Sequence, residues 1–219
     1  MTLPVPQRAI CFFDGQNLYH AARKVFNQSH PSYDVLALSR WVCEQFGWNL
    51  TQIRFYTGVP SERDNYHWHH FWAGKLRAMA SQGVYIRRVQ VKYHYNQLET
   101  STTPGSEKQH EPVKLRVGTE KQTDVHIAVD LLALAFKQEY DAAVIFSQDS
   151  DLIPAVQEVF AVARSQNRPM FLASAFPSDG RSIGIPHTRW IHIPADVYLE
   201  RLDNRDYRPK RFQARSDGA

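Results

Sequence analysis

Cysteine is almost missing from this chain: Cys11 and Cys43 are the only two among 219 residues. They do not share a metal-ligand spacing. A zinc ribbon and a disulfide-stapled secreted scaffold are therefore excluded, and both thiols read as small core residues of a reduced, cytoplasmic protein. No apolar run approaches the ~20 residues of a membrane helix, so no membrane partner is expected. Met1 to Arg8 carries Pro4 and Pro6 and no apolar core, which argues against a secretory signal. A Gly-rich loop ending in Lys-Ser/Thr and a Gly-x-Gly-x-x-Gly fingerprint are both absent, so a nucleotide cofactor is not implied. No internal repeat is visible.

What is present is an ordinary globular composition, 43% hydrophobic and 22% charged, enough for one well-buried core rather than two. A net charge of +4 permits a polyanionic partner without requiring one. Short apolar runs alternate with amphipathic segments, which predicts a three-layer α/β/α domain with a mainly parallel central sheet over residues 1–200. A loop insertion is expected over about 96–120, where Glu99 to Ser106 has turn composition. Residues 201–219 read as a polar, Arg-rich tail that packs poorly.

Two segments repeat one arrangement. Ala9 to Phe13 is a compact apolar strand ending in Asp14-Gly15-Gln16-Asn17, with a helical pattern from Leu18 to Phe26. Ala142 to Phe146 is another, ending in Ser147-Gln148-Asp149-Ser150-Asp151, with a helix to about Arg164. Each places carboxylates at the carboxyl end of a strand, where open α/β sheets keep their sites. A third acid comes from Lys121-Gln122-Thr123-Asp124, which opens the apolar helix Val125 to Phe136. There Asp124 shares a face with Ile127, Ala128, Leu131, Leu134 and Ala135, while Asp130 falls around the helix and takes a supporting or structural role. Capping explains Asp14 alone and the helix dipole explains Asp124 alone. Acids from separate segments converging at strand ends need a counter-charge, and oxygen ligands with open positions suit Mg²⁺ or Mn²⁺.

The remaining chain is read as follows. Tyr33 to Phe46 is a helix, Thr51 to Gly58 a strand, and Pro60 to about Gln82 a helix whose Tyr66 to Trp72 stretch is rich in His and aromatics. His67 and His70 lie one turn apart without further ligands nearby, so packing explains the stretch better than zinc, with stacking on nucleotide bases as the minor alternative. Val84 to Tyr95 is a long strand whose wetter face carries Arg88, Gln90, Lys92 and His94. With Lys114, Arg116 and Lys121 of the following basic segment, Arg88 and Lys92 are candidate contacts to a phosphate backbone. Pro169 to Ala173 is a strand, Ser174 to Thr188 a loop, and Arg189 to Ile193 an edge strand.

Three motifs carry a resemblance. Phe12-Phe13-Asp14-Gly15-Gln16-Asn17, Lys121 to Asp124 with Asp130, and Val144 to Asp151 resemble, in order and spacing, those of NYN-domain proteins, the LabA-like branch of the PIN-like nuclease superfamily, over roughly residues 8 to 175. The resemblance implies a PIN-like fold and a metal-dependent ribonuclease leaving 5′-phosphate and 3′-hydroxyl ends. Asp14, Asp124 and Asp149 would be metal ligands and Asp151 a further ligand or outer acid. Asn17 and Ser147 would orient carboxylates or phosphate. Gln148 stands where the family usually has Gly, and its side chain is expected to narrow access to the metal. Single-stranded RNA is the partner this implies, and nothing in the chain opposes a homo-oligomer. Two other readings use the same residues: an RNA-binding regulatory module without turnover, and a metal-dependent phosphatase. Basic side chains extending beyond the pocket would favour the polymer.

Overall fold

The computed structural model describes residues 8–98, 113–119 and 122–210, with side chains described over 8–91 and 122–210. Its centre is β1 (Arg8–Asp14), buried from Ala9 onward. Successive side chains of a strand point to opposite faces. Thus Ile10 and Phe12 join one apolar cluster while Ala9, Cys11 and Phe13 join another. That burial on both faces is why the strand reads as a continuous apolar run.

β1 is followed by α1 (Gly15–Phe26), α2 (Val35–Phe46), β2 (Asn49–Pro60), α3 (Tyr66–Ser81), β3 (Tyr85–Leu98), β4 (Val113–Thr119), α4 (Thr123–Phe136) and β5 (Ala142–Phe146). A single 3₁₀ turn, Ser150–Leu152, leads into α5 (Ile153–Ser165), β6 (Phe171–Pro177), β7 (Arg189–Ile193) and α6 (Ala195–Glu200). The seven-stranded sheet has the order β4-β3-β2-β1-β5-β6-β7. Every pairing is parallel except β3 with β4. The chain leaves β1 toward β2 and β3, then returns to place β5 on the other side of β1. The topological switch point therefore lies between β1 and β5, at their carboxyl ends. Helices α1, α2, α3 and α6 contribute to the apolar cluster of Phe13 and Phe146; α4 and α5 cover the opposite face with Phe12 and Ile145. The expected three-layer domain is what forms.

Several boundaries differ from those the sequence predicts. The 96–120 segment, expected as a loop, is strand in its described residues: β3 continues to Leu98 and pairs antiparallel with β4, from Lys92 opposite Thr119 to Leu98 opposite Val113. Val113, Leu115 and Val117 share one parity in β4, a period-two signal masked by the turn composition of Glu99 to Ser106, which lies outside the described residues. Helix α3 starts at Tyr66 rather than Pro60, because Ser61 and Asp64 close a turn and Asn65 caps the helix by accepting from the Trp68 amide. β6 extends four residues beyond Ala173, to Pro177.

The stretch 201–210 does not behave as a solvated tail. Leu202 bridges to Tyr33. The Asp203 amide donates to the Ser32 carbonyl at 2.6 Å, and Tyr207 packs its ring against Phe71 and Gly74. Beneath lies Lys75, fully buried, donating to the Tyr33 carbonyl at 2.9 Å and lying 3.9 Å from the Asp203 carboxylate. Burial lowers its ammonium pKa to about 8, against the partial support of Asp203 and Asp34. An unfolded lysine titrates near ~10.4, so between roughly pH 8 and 10 the unfolded chain binds the extra proton and stability rises with pH. Below pH 8 the cost of burying the charge is fully present. In Lys75→Met this contribution disappears: the stability difference between parent and variant should change by about 1–3 kcal/mol from pH 7.5 to 10 in urea unfolding. A difference that stays constant with pH would mean that Lys75 keeps an ordinary pKa.

Candidate metal centre

Asp14 ends β1 and caps α1. Its Oδ1 accepts from the Asn17 amide at 3.1 Å and its Oδ2 from the Ser147 hydroxyl at 3.2 Å. Gly15 follows because nothing larger fits: a Cβ there would meet Phe55 Cζ at 2.6 Å and the Tyr56 carbonyl oxygen at 3.0 Å. Across the switch point, the Ser147 hydroxyl also accepts from the Asp149 amide at 3.1 Å, and the Ser147 carbonyl accepts from the Ser174 hydroxyl at 2.7 Å. The Asn17 side chain accepts from the Gln148 amide at 2.9 Å. Two side chains thus tie the β1–α1 turn to the loop after β5. Asp149 caps the 3₁₀ turn by accepting from the Asp151 amide at 3.0 Å.

These residues surround one cleft of about 350 Å³ lined by Asp14, Asn17, Asp124, Asp149 and Asp151 together with Gln16, His20 and Thr123. Asp124 reaches it from the first turn of α4, behind Gln122, whose φ of +88° is a conformation that side-chain-bearing residues rarely adopt. The four acids predicted as ligands therefore share a cleft, although they come from three separate segments. Among the described residues, however, no group of three or more His, Cys, Asp or Glu side chains is close enough to hold a metal ion. The four carboxylates and the Asn17 amide offer oxygen donors, which suit a hard divalent cation. Asp14 caps α1 and still borders the cleft, because a carboxylate has about four acceptor sites.

Asp130 lies elsewhere and is structural rather than supporting. Its carboxylate takes Arg54 at 2.7 Å and the Tyr56 hydroxyl at 2.6 Å, with the guanidinium stacked over the Tyr85 ring. Burial opposes its charge, but the Tyr56 hydroxyl and Arg54 outweigh burial and hold its pKa below the usual carboxylate range. Arg88 is exposed on β3 and is not among the residues lining the cleft. The side chains of Lys92, Lys114 and Arg116, and the whole of Lys121, lie outside the described residues. Gln16, His20 and Thr123 escaped the sequence reading. The signal for His20 was its place one turn after Asn17 on α1.

A family profile for the NYN domain matches residues 8–165. The chain belongs to the NYN-domain family. No curated protein matches it. Among solved structures it is similar to a protein of unknown function from Vibrio parahaemolyticus, at 14% identity and a TM-score of 0.42, over 95% of this chain and 99% of that one. NYN domains fall within the PIN-like nuclease superfamily, and the three-layer fold with acids at the switch point agrees with that placement.

The departure at Gln148 does not narrow the cleft in this NYN domain. Its side-chain amide donates to the Ile183 carbonyl at 2.6 Å and lines a neighbouring cavity with Lys24 and Arg181. The tight joint at Gly15 is testable: Gly15→Ala should cost about 1–3 kcal/mol in urea unfolding, the usual penalty of overpacking against a fixed ring and backbone. An unchanged midpoint would show that Phe55 moves aside.

Proposed function

We propose that this NYN domain is a divalent-metal-dependent ribonuclease of the LabA-like branch, cleaving single-stranded RNA in the cytoplasm. The observation that carries this reading is the single cleft shared by Asp14, Asp124, Asp149 and Asp151 at the β1–β5 switch point. Those four carboxylates would hold Mg²⁺ or Mn²⁺. When bound, such an ion supplies Lewis acidity toward a phosphate oxygen and a lowered pKa for its water.

The chain's own part is positioning. Asn17 and Ser147 fix Asp14 and the Gln148–Asp149 backbone by hydrogen bonds from both sides of the switch point. His20, on the exposed side of α1, lines the cleft where a phosphate would enter. The cleft is not an isolated pit: Gln16 and His20 also line a second cavity, and α1 exposes Arg23 and Lys24 beyond it. Basic side chains running past the acids suit a polymer better than a small phosphoester. RNA binding without turnover is the second reading, and the open spacing of the carboxylates favours it.

The test is cleavage of labelled single-stranded RNA in Mn²⁺. Products with 5′-phosphate ends should form in Mn²⁺ and not in EDTA, and Asp14→Asn and Asp149→Asn should each slow cleavage by about a hundredfold or more, several kcal/mol of lost transition-state stabilisation. Asn caps a helix as well as Asp, so both variants should keep the parent's circular dichroism and unfolding midpoint to within about 1 kcal/mol. Cleavage that persists in EDTA, or at parental rate in both variants, would sink the assignment.

A further inference from the structure

A second cavity of about 520 Å³ opens beside the acidic cleft, between α1, α3, the carboxyl end of β2 at Pro60 and the middle of β3 at Val91. It shares Gln16 and His20 with the cleft, so the two adjoin. Its size falls within the roughly 300–1,000 Å³ of small-molecule sites. Tyr19 and Trp72 are buried, while Trp68, also in its wall, is only half-buried. The Trp68 indole is braced by neighbouring rings, with centroids 6.0 Å away at Tyr19, 5.6 Å at His30 and 5.3 Å at Phe71. A rigid, partly accessible indole is a surface on which any nucleobase can stack.

The polar groups of the cavity complement that ring. The Asn65 side-chain oxygen caps α3 at the Trp68 amide, which leaves its NH₂ as a donor; the Gln16 NH₂ lies 3.4 Å from the Gly58 carbonyl, which leaves its oxygen as an acceptor. One donor and one acceptor beside a stacking ring can meet the edge of a base. On the rim, His20 and Arg23 are exposed one turn apart on α1, on the side that joins the cleft.

We propose that this cavity binds a nucleobase flanking the scissile phosphate, stacked on Trp68, with Arg23 meeting the adjoining phosphate. The proposal rests on the ribonuclease reading for the identity of the polymer. It makes the aromatic segment of α3 part of the substrate path rather than packing alone.

The experiment measures binding apart from cleavage. With the full chain in EDTA, fluorescence anisotropy of labelled oligouridylate and oligoadenylate should show Trp68→Leu weakening affinity by about 5- to 150-fold. Arg23→Gln should weaken binding and flatten its salt dependence, as loss of one phosphate contact does. A measurement on the parent chain avoids any folding defect of the variants: RNA carrying 5-iodouridine, irradiated in the complex, should cross-link within the tryptic peptide Asp64–Lys75. Equal affinity in a folded Trp68→Leu chain, or cross-links confined to other peptides, overturns the cavity assignment. A parent chain that binds through Trp68 but never cuts in Mn²⁺ upholds the cavity and overturns the ribonuclease reading. Cutting at parental efficiency by Trp68→Leu does the reverse.

Discussion

The pairing of β1 with β5 sets everything at the carboxyl edge of the sheet. Phe13 lies opposite Phe146, and their rings stack with centroids 3.9 Å apart and planes within 8°. One residue further along the same parallel register, Asp14 meets Ser147 through a hydrogen bond. A slip of one residue would send Phe13 to the wrong layer and separate that pair at once, so the buried rings enforce the geometry of the polar edge. Hydrophobic packing and the acidic cleft are two consequences of one register.

The carboxylates also show why structural and chemical duties need not compete. Asp14 caps α1, Asp149 caps the 3₁₀ turn, and Asp124 lies in the first turn of α4. Each position favours an anion because unpaired amides gather at a helix start. Asp14 and Asp149 lie at the carboxyl end of the sheet because a helix or turn starts where the parallel strand stops, and Asp124 reaches the same edge because β4 returns antiparallel along the part of β3 that extends beyond β2. The helix and turn starts therefore deliver negative oxygens to one rim. Capping accounts for Asp14 and Asp149 separately, and the helix dipole for Asp124. Neither accounts for their sharing a cleft with Asp151, whose carboxylate is not one of the caps.

The strands β1 and β5, their terminal acids and the layer order were legible because each rests on a local signal: a short apolar run, a turn residue, a helical stripe. What escaped depends on residues distant in the chain. No local signal marks Lys75 as buried, yet Tyr33 and Asp203 enclose it. The docking of residues 201–210 has no periodic pattern; it consists of backbone pairing to Ser32 and Asp34 and of Tyr207 against α3. Asp130 carried an ambiguous role because its partners, Arg54 and Tyr56, lie on another strand with the parity of the α4 face. Size alone predicts that Gln148 narrows the cleft, whereas the Ile183 carbonyl, on a loop distant in the chain, sets its direction.

Helix α1 joins these levels. Its start is fixed by Asp14 and by the close approach of Gly15 to Phe55; its first turn supplies Asn17, which holds the Gln148 backbone; its exposed side carries His20, Arg23 and Lys24. Negative oxygens thus lie at one end of the helix and cationic side chains along its flank. A polyanion repelled by four carboxylates alone can approach only if positive charge lies close by, and the Debye length of about 8 Å at physiological salt confines that help to the immediate surroundings of the cleft. A net charge of +4 spread over the whole surface would be too diffuse for this purpose. The placement of His20, Arg23 and Lys24 on the helix that bears Asp14 at its cap makes the local balance different from the global one, as the proposed approach of a polyanion to an acidic cleft requires.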